Sequence, residues 1–162
     1  MSNDETSARL VATIRERLAD APATEATIRP ILDMTLAHFN CVVGAVHRLN
    51  SETQLLELVA ARGIPDAIMD RVKLIPIGKG MAGIAAERMK PVQVCNLQTD
   101  ESGVVKPGAK LTEMEGSIAA PIIIDGRLRG AIGVAKPQEY EFTAEEQTLL
   151  LEIGRIIGER FQ

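Results

Sequence analysis

The chain has 162 residues, a length that fits one domain with its own hydrophobic core. A net charge of −4 with scattered Lys and Arg argues against a nucleic-acid surface, and three Phe, one Tyr and no Trp argue against base-stacking platforms. The polar start and the lack of about 18 consecutive apolar residues give no export or membrane signal, so we expect a cytoplasmic location.

Two helices and a hairpin are predicted first. Residues 5–19 and 27–39 place apolar side chains at helical spacing, with Pro30 accommodated in the first turn of the second helix. Residues 41–49 and 54–61 are rich in Val, Leu and Ala and flank a polar turn. The pattern predicts two helices followed by a β-hairpin.

Shorter elements and a long loop come next. Residues 66–71 are predicted to form a helical turn, residues 72–77 an extended segment, residues 81–88 a short helix and residues 92–95 a short strand. Residues 96–114 are polar and show no periodicity. A loop of that length in a compact domain is often functional.

A second hairpin and a long helix close the pattern. Strands 116–124 and 128–135 are joined by an Asp-Gly pair, which suits a type I′ turn. The last helix is predicted over residues 143–161, with Thr143 and Glu146 as a capping box. Two hairpins require antiparallel pairing, so we expect an α+β fold with the terminal helices on one face and the short helix and loop on the other.

Six segments contain recognisable local motifs, namely residues 59–65, 77–85, 90–94, 116–122, 125–134 and 142–146. Their order and spacing resemble those of the GAF domain family, and the resemblance covers residues 24–161. The resemblance implies a single GAF domain over residues 1–162, with a five- to six-stranded antiparallel sheet. It also implies a sensory module of signal transduction that binds a small molecule and forms a homodimer through its N- and C-terminal helices, residues 1–20 included.

Two alternatives accompany this hypothesis. One is a purely structural dimerisation module that binds no ligand. The remote one is a redox enzyme related to free methionine-(R)-sulfoxide reductase, a GAF family member that uses two thiols and acidic groups. The resemblance places those groups at Ala82, Ser117, Gly133 and Ala135 and in the loop 96–116, which contains no Cys. We therefore expect no enzymatic activity.

Two nucleotide-binding patterns are incomplete. Residues 78–83 match GxGxxG, but a dinucleotide fold needs a long helix and a strand ending in an acidic residue, whereas this strand ends at Cys95. The cyclic-nucleotide pattern of GAF domains lacks its Asn at Ala135 and keeps Lys136 and Glu146. An ion pair between these two residues would serve the fold equally well.

A ligand pocket is expected between the sheet, the short helix and the long loop, with mixed apolar walls suited to a small uncharged or amphipathic ligand. The pocket candidates are Met81, Ile84, Gln93, Cys95, Asp100, Met114, Ser117 and Ala119, and the amides of Ala82 and Gly83 form a candidate anion site. We expect no metal and no cofactor, because neither cysteine has the spacing of a zinc site.

Three further features leave alternatives open. His38 and His47 are expected away from the pocket, as structural side chains. Cys95 lies close to the predicted pocket, so a redox role for its thiol is a hypothesis. Gly154 and Gly158 on the last helix predict a close approach, either by the sheet or by a partner subunit, because glycine costs about 1 kcal/mol inside a helix.

Overall fold

Helices and strands occur in the order that the sequence predicts in a computed structural model that describes residues 3–101 and 112–161. The helices are α1 (Asn3–Leu18), α2 (Glu25–Phe39), α3 (Asp66–Lys73), α4 (Gly80–Arg88) and α5 (Ala144–Gly158). The strands are β1 (Val43–Asn50), β2 (Leu55–Arg62), β3 (Leu74–Pro76), β4 (Val92–Val94), β5 (Gly116–Ile124) and β6 (Arg127–Lys136). The predicted loop 96–114 lies partly outside the described residues. None of the described helices is both long and apolar enough to cross a membrane.

The strands form one antiparallel sheet in the order β3-β2-β1-β6-β5-β4. The two predicted hairpins meet at its centre, where β1 pairs with β6 and Ala45 lies opposite Gly133. The type I′ turn between β5 and β6 is confirmed, since Asp125 and Gly126 have φ angles of 50° and 77°. The α+β fold expected from two antiparallel hairpins is therefore the fold observed.

α2 begins two residues before the predicted start, so the prediction that Pro30 lies in the first turn is wrong. The Thr24 hydroxyl accepts a hydrogen bond from the Thr27 amide, and the Thr27 hydroxyl accepts one from the Thr24 amide. This reciprocal cap starts the helix at Glu25 and leaves Pro30 in the second turn. There the proline lacks the N–H that would bond the Ala26 carbonyl, which typically costs about 3 kcal/mol in a helix interior.

The helices α1, α2 and α5 pack on one face of the sheet. The apolar core on this side includes Ile14, Ile28, Ile31, Leu150, Ile153 and Ile157 from the helices and Val46, Ile118, Ile122 and Ile132 from the strands. α5 begins with the predicted capping box of Thr143 and Glu146, which is confirmed. A Cβ atom on Gly158 would lie only 2.4 Å from Ile122 Cγ2. The close approach predicted from the glycine pair is therefore a contact of α5 with β5.

The helices α3 and α4 lie on the other face, where the buried side chains are fewer and smaller. The buried residues of these contacts are Leu56, Ala86 and Ala131 in one cluster and Ala85, Val92 and Ala119 in the other. In α3 only Ile68 is buried. The small side chains under α4 and the few contacts of α3 leave space between these helices and the sheet.

Candidate ligand-binding site

A cavity of about 630 Å³ lies between the central strands and the helices α3 and α4. Residues of β1, β5 and β6 form its floor, namely Ala45, His47, Ser117, Ala119, Gly133 and Ala135. Its walls include Ile64, Ile68, Val72, Ile75, Met81, Ala82, Leu97 and Thr112. The volume falls within the range of pockets that hold small molecules.

Alternating side-chain size along β5 and β6 keeps the cavity open. Ile118 and Ile132 point into the core under the helices, while their neighbours Ala119 and Gly133 point to the cavity. Successive side chains of a strand face opposite sides of the sheet. The same two strands therefore supply branched side chains to the core and almost no side-chain volume to the cavity.

The glycine-rich segment forms the turn into α4 at the cavity mouth. Gly78 and Gly80 have φ angles of 90° and 68°, which residues with a Cβ rarely adopt. A Cβ on Gly83 would lie 2.4 Å from the Pro76 carbonyl oxygen. All three glycines are thus required by the tight strand-to-helix turn, which accounts for the GxGxxG match without a nucleotide.

Two positively charged side chains lie at this mouth. Lys79 and Arg71 line it, and both residues are exposed to solvent. α4 carries no acidic residue in its first turn, and Lys79 at the N-cap makes no side-chain capping bond. The first amides of the helix, those of Gly80, Met81 and Ala82, therefore present their partial positive charge to the mouth without a side-chain cap.

His47 lies on the cavity floor, so the expectation that it is distant from the pocket is wrong. That expectation did not account for β1 lying at the sheet centre, next to β6. The His47 side chain is 2% exposed, and its Nε2 lies 2.7 Å from the Val72 carbonyl oxygen. Burial lowers the pKa of His47, against a smaller opposite effect of the Val72 carbonyl, so the ring is neutral at pH 7. His38 lies on the helical face, beside Ser7.

The structure separates the predicted site residues into two groups. Those lining the cavity are Met81, Ala82, Ser117 and Ala119. Those outside the lining are Ile84, Gln93, Cys95, Asp100, Met114 and Gly83. The Gln93 amide instead bonds the backbone of Phe142, donating to its carbonyl over 3.1 Å and accepting from its N–H over 2.8 Å. Cys95 and Asp100 border a separate surface cleft at the β4 edge.

Neither thiol faces the cavity. Cys41 is buried, and this burial raises the pKa of its thiol to about 12, which keeps it protonated. Cys95 is exposed at the edge cleft. Within residues 3–101 and 112–161, no three His, Cys, Asp or Glu side chains come together as a metal site.

The fold and cavity have counterparts among known proteins. A sequence profile described as GAF domain matches residues 23–162. The chain belongs to the GAF domain family. No curated protein matches the chain in sequence.

Solved structures share the whole fold of this GAF domain at low sequence identity. The GAF domain of a phosphoenolpyruvate-protein phosphotransferase from Coxiella burnetii is 17% identical with a TM-score of 0.83, covering 98% of this chain and 94% of that one. Free methionine-R-sulfoxide reductase from Neisseria meningitidis, in complex with its substrate, is 18% identical with a TM-score of 0.79, covering 99% and 91%. A putative GAF sensor protein from Burkholderia vietnamiensis is 21% identical with a TM-score of 0.77, covering 99% and 96%. These likenesses establish the fold.

Four of the positions to which the family resemblance assigns the groups of the reductase border the cavity of this GAF domain. Ala82, Ser117, Gly133 and Ala135 each line it. None of the four carries a thiol or a carboxylate. The Ser117 hydroxyl lies 3.5 Å from the Val134 carbonyl oxygen, to which it donates.

The residues retained from the cyclic-nucleotide pattern join β6 to the start of α5. Lys136 forms no ion pair with Glu146; its Nζ lies 3.7 Å from the centroid of the Tyr140 ring. Glu146 accepts hydrogen bonds from the Tyr140 hydroxyl over 2.7 Å and from the Thr143 amide over 2.9 Å. The hydrogen bond to Glu146 raises the pKa of Tyr140 to about 12. A protonated Tyr140 therefore links the cation to the carboxylate, and this arrangement serves the fold.

Proposed function

We propose that this GAF domain is a regulatory module of signal transduction that binds a small molecule in the cavity above β1, β5 and β6. The carrying observation is the cavity itself, about 630 Å³ over a floor of small side chains. Pockets that hold small molecules in proteins have volumes of about 300–1,000 Å³ and mostly apolar walls. A space of this size, kept open by strand residues that could carry larger side chains, therefore supports a ligand site.

The lining favours an amphipathic ligand with a negatively charged end. Ala45, Ala119 and Gly133 offer apolar surface on the floor. Lys79 and Arg71 stand at the mouth beside the uncapped start of α4. An anionic group at a helix N-terminus is favoured by the helix dipole and by free N–H groups. The apolar body of such a ligand would lie on the floor and its charge would face the mouth.

We propose binding without catalysis. The described cavity lining contains no cysteine and no carboxylate. Its one serine, Ser117, has no neighbouring base as a hydrogen-bond partner, and the ring of His47 is held by Val72. Nucleophilic catalysis requires a nucleophile within hydrogen-bond reach of its base. This absence supports a regulatory module over a reductase.

A thermal-shift screen with cyclic nucleotides, amino acids and 2-oxo acids tests the proposal. A ligand at 100 times its Kd stabilises a protein by about 2.7 kcal/mol, which corresponds to a shift in Tm of roughly 5–10 °C for a domain of this size. We expect at least one class to produce such a saturable shift. A purely structural module would leave Tm unchanged with every class.

A matched pair of variants then locates the site. Ala45 and Ala61 lie opposite each other on β1 and β2, both half-buried, but only Ala45 lines the cavity. Ala45→Leu places a larger side chain in the cavity and should abolish the ligand-induced shift. Ala61→Leu should retain it. Equal loss in both variants, or retention in both, would place the ligand elsewhere.

A further inference from the structure

His47 is the buried polar side chain on the cavity floor, and its hydrogen bonding fixes which ring nitrogen carries the proton. Nε2 lies 2.7 Å from the Val72 carbonyl oxygen. A carbonyl oxygen can only accept, so Nε2 donates. In a neutral imidazole the other nitrogen, Nδ1, is then an acceptor with a free lone pair.

Nδ1 has no partner among the described residues. The hydrogen bond to Val72 is the one polar contact that the side chain of His47 makes there. Among the same residues, Arg29 Nε is the only side-chain nitrogen or oxygen that is completely shielded from solvent and lacks a hydrogen-bond partner. The unpaired Nδ1 of His47 is therefore not completely shielded. His47 is 98% buried and lines the cavity, so the space that Nδ1 can reach is the cavity.

The other end of the His47 bond holds α3, which forms one wall of the cavity. α3 is eight residues long, its N-cap Pro65 makes no side-chain capping bond, and Ile68 is its buried residue. Val72 lies in its last turn, where carbonyl groups lack helical partners. The bond from His47 to the Val72 carbonyl thus ties the last turn of α3 to the sheet.

We infer that His47 is the residue with which the cavity recognises its ligand. Its Nδ1 accepts a hydrogen bond from a ligand O–H or N–H. Its Nε2, which donates to the Val72 carbonyl, couples ligand binding to α3. The inference rests on the proposed function, since it assumes an occupied cavity. It assigns the ligand a hydrogen-bond donor on its buried part. An imidazole that accepts at one nitrogen donates more strongly at the other, because hydrogen bonds in a chain polarise one another. Occupancy by a donor ligand would therefore tighten the attachment of α3.

Two probes of the same shape test this assignment in the wild-type protein. Phenol carries an O–H donor, and fluorobenzene has fluorine in its place. Long-range ¹H–¹⁵N spectra report both ring nitrogens of each histidine, and the chain has only His38 and His47. The His38→Gln variant assigns the signals. The methyl groups of Ala45 and Ala119 report occupancy of the cavity.

We expect both probes to shift the alanine methyl signals saturably, and phenol alone to shift the Nδ1 signal of His47. Amide hydrogen exchange in α3 should slow with phenol and not with fluorobenzene. Phenol should bind about three- to tenfold tighter than fluorobenzene, the effect of one net hydrogen bond. In His47→Leu this ratio should fall to about one.

The outcomes separate the inference from the proposed function. If phenol shifts the methyl signals but leaves Nδ1 unmoved, the cavity binds ligands and the role of His47 is overturned. If neither probe shifts the methyl signals, the role of His47 is overturned, while the proposed function is still decided by the thermal-shift screen. His47→Gln controls for loss of structure, because its amide can still donate to Val72. If His47→Gln binds fluorobenzene normally while His47→Leu does not, the His47→Leu result reflects the lost attachment of α3. The assignment of Nδ1 is then judged from the affinities of the wild-type protein, where phenol must bind more tightly than fluorobenzene and shift the Nδ1 signal.

Discussion

Replacing Gly158 by Ala at the end of α5 tests how tightly this helix lies on the sheet. The new Cβ would lie 2.4 Å from Ile122 Cγ2 and 3.2 Å from Ile124 Cδ1. Cγ2 is bonded directly to Cβ of a fully buried, β-branched side chain, so it cannot swing away on its own. Either the helix must move outward or Ile122 must leave its rotamer.

The expected change in the free energy of unfolding of Gly158→Ala results from two opposing effects. Alanine in place of glycine stabilises a helix interior by about 1 kcal/mol, and by less at this last helical position. Overpacking a well-packed core costs about 1–3 kcal/mol. We expect Gly158→Ala to destabilise the domain by about 1–2 kcal/mol. Its Tm should fall by roughly 2–8 °C.

Gly154→Ala is the matched control on the same helix. Its Cβ would lie 3.1 Å from Ile122 Cγ1 and 3.3 Å from Ile132 Cγ2, contacts that small shifts can relieve. Urea denaturation of both variants at two protein concentrations gives the free energies of unfolding. Gly154→Ala should lie within about 1 kcal/mol of wild type. A Gly158→Ala variant as stable as wild type, or one destabilised only at low protein concentration, would refute the intramolecular explanation.

Three further predictions concern other parts of the molecule. Because burial lowers the folded-state pKa of His47, its contribution to stability is complete above the unfolded pKa and is lost as pH falls below about 6.5. Denaturation between pH 7 and 5 should therefore show a smaller loss of stability in His47→Gln than in wild type, and an equal loss in the two proteins would contradict this. Tyr140→Phe removes the donor to the Glu146 carboxylate and should cost about 1–3 kcal/mol by urea denaturation, whereas a neutral result would mean that water replaces the hydroxyl. We also expect a homodimer through α1 and α5, and a monomer mass by light scattering at micromolar concentration would contradict this.

Local signals in the sequence predicted much of the fold. The Asp125-Gly126 turn and the Thr143–Glu146 capping box each involve residues within four positions of one another, and both formed as predicted. The start of α2 was missed because its cap pairs Thr24 with Thr27, whereas the recognised capping-box pattern carries Glu or Gln at the second position. Where the sequence contained a well-established local motif, such as the Asp-Gly turn or the Thr–Glu capping box, the prediction matched the structure.

The candidate site depended on contacts between distant segments, and prediction was weaker there. His47 reaches the cavity because β1 pairs with β6, more than 80 positions further along the chain, a pairing that no local pattern specifies. Gln93 faces away from the cavity because its amide bonds Phe142, 49 residues later. Ser117 and Ala119 were placed in the lining because strand alternation fixes their face once β5 is recognised.

The alternation of side chains along β5 and β6 assigns core packing to one face of the strands and the cavity lining to the other. Residues such as Ile118 and Ile132 belong to the core, and their neighbours Ala119 and Gly133 line the cavity. A substitution at Gly133 meets only ordinary contacts, the nearest at 3.5 Å from a Cβ. Under the proposed function, single substitutions on the cavity face would therefore change ligand preference and leave the core intact. A domain built in this way would diverge in specificity faster than in fold.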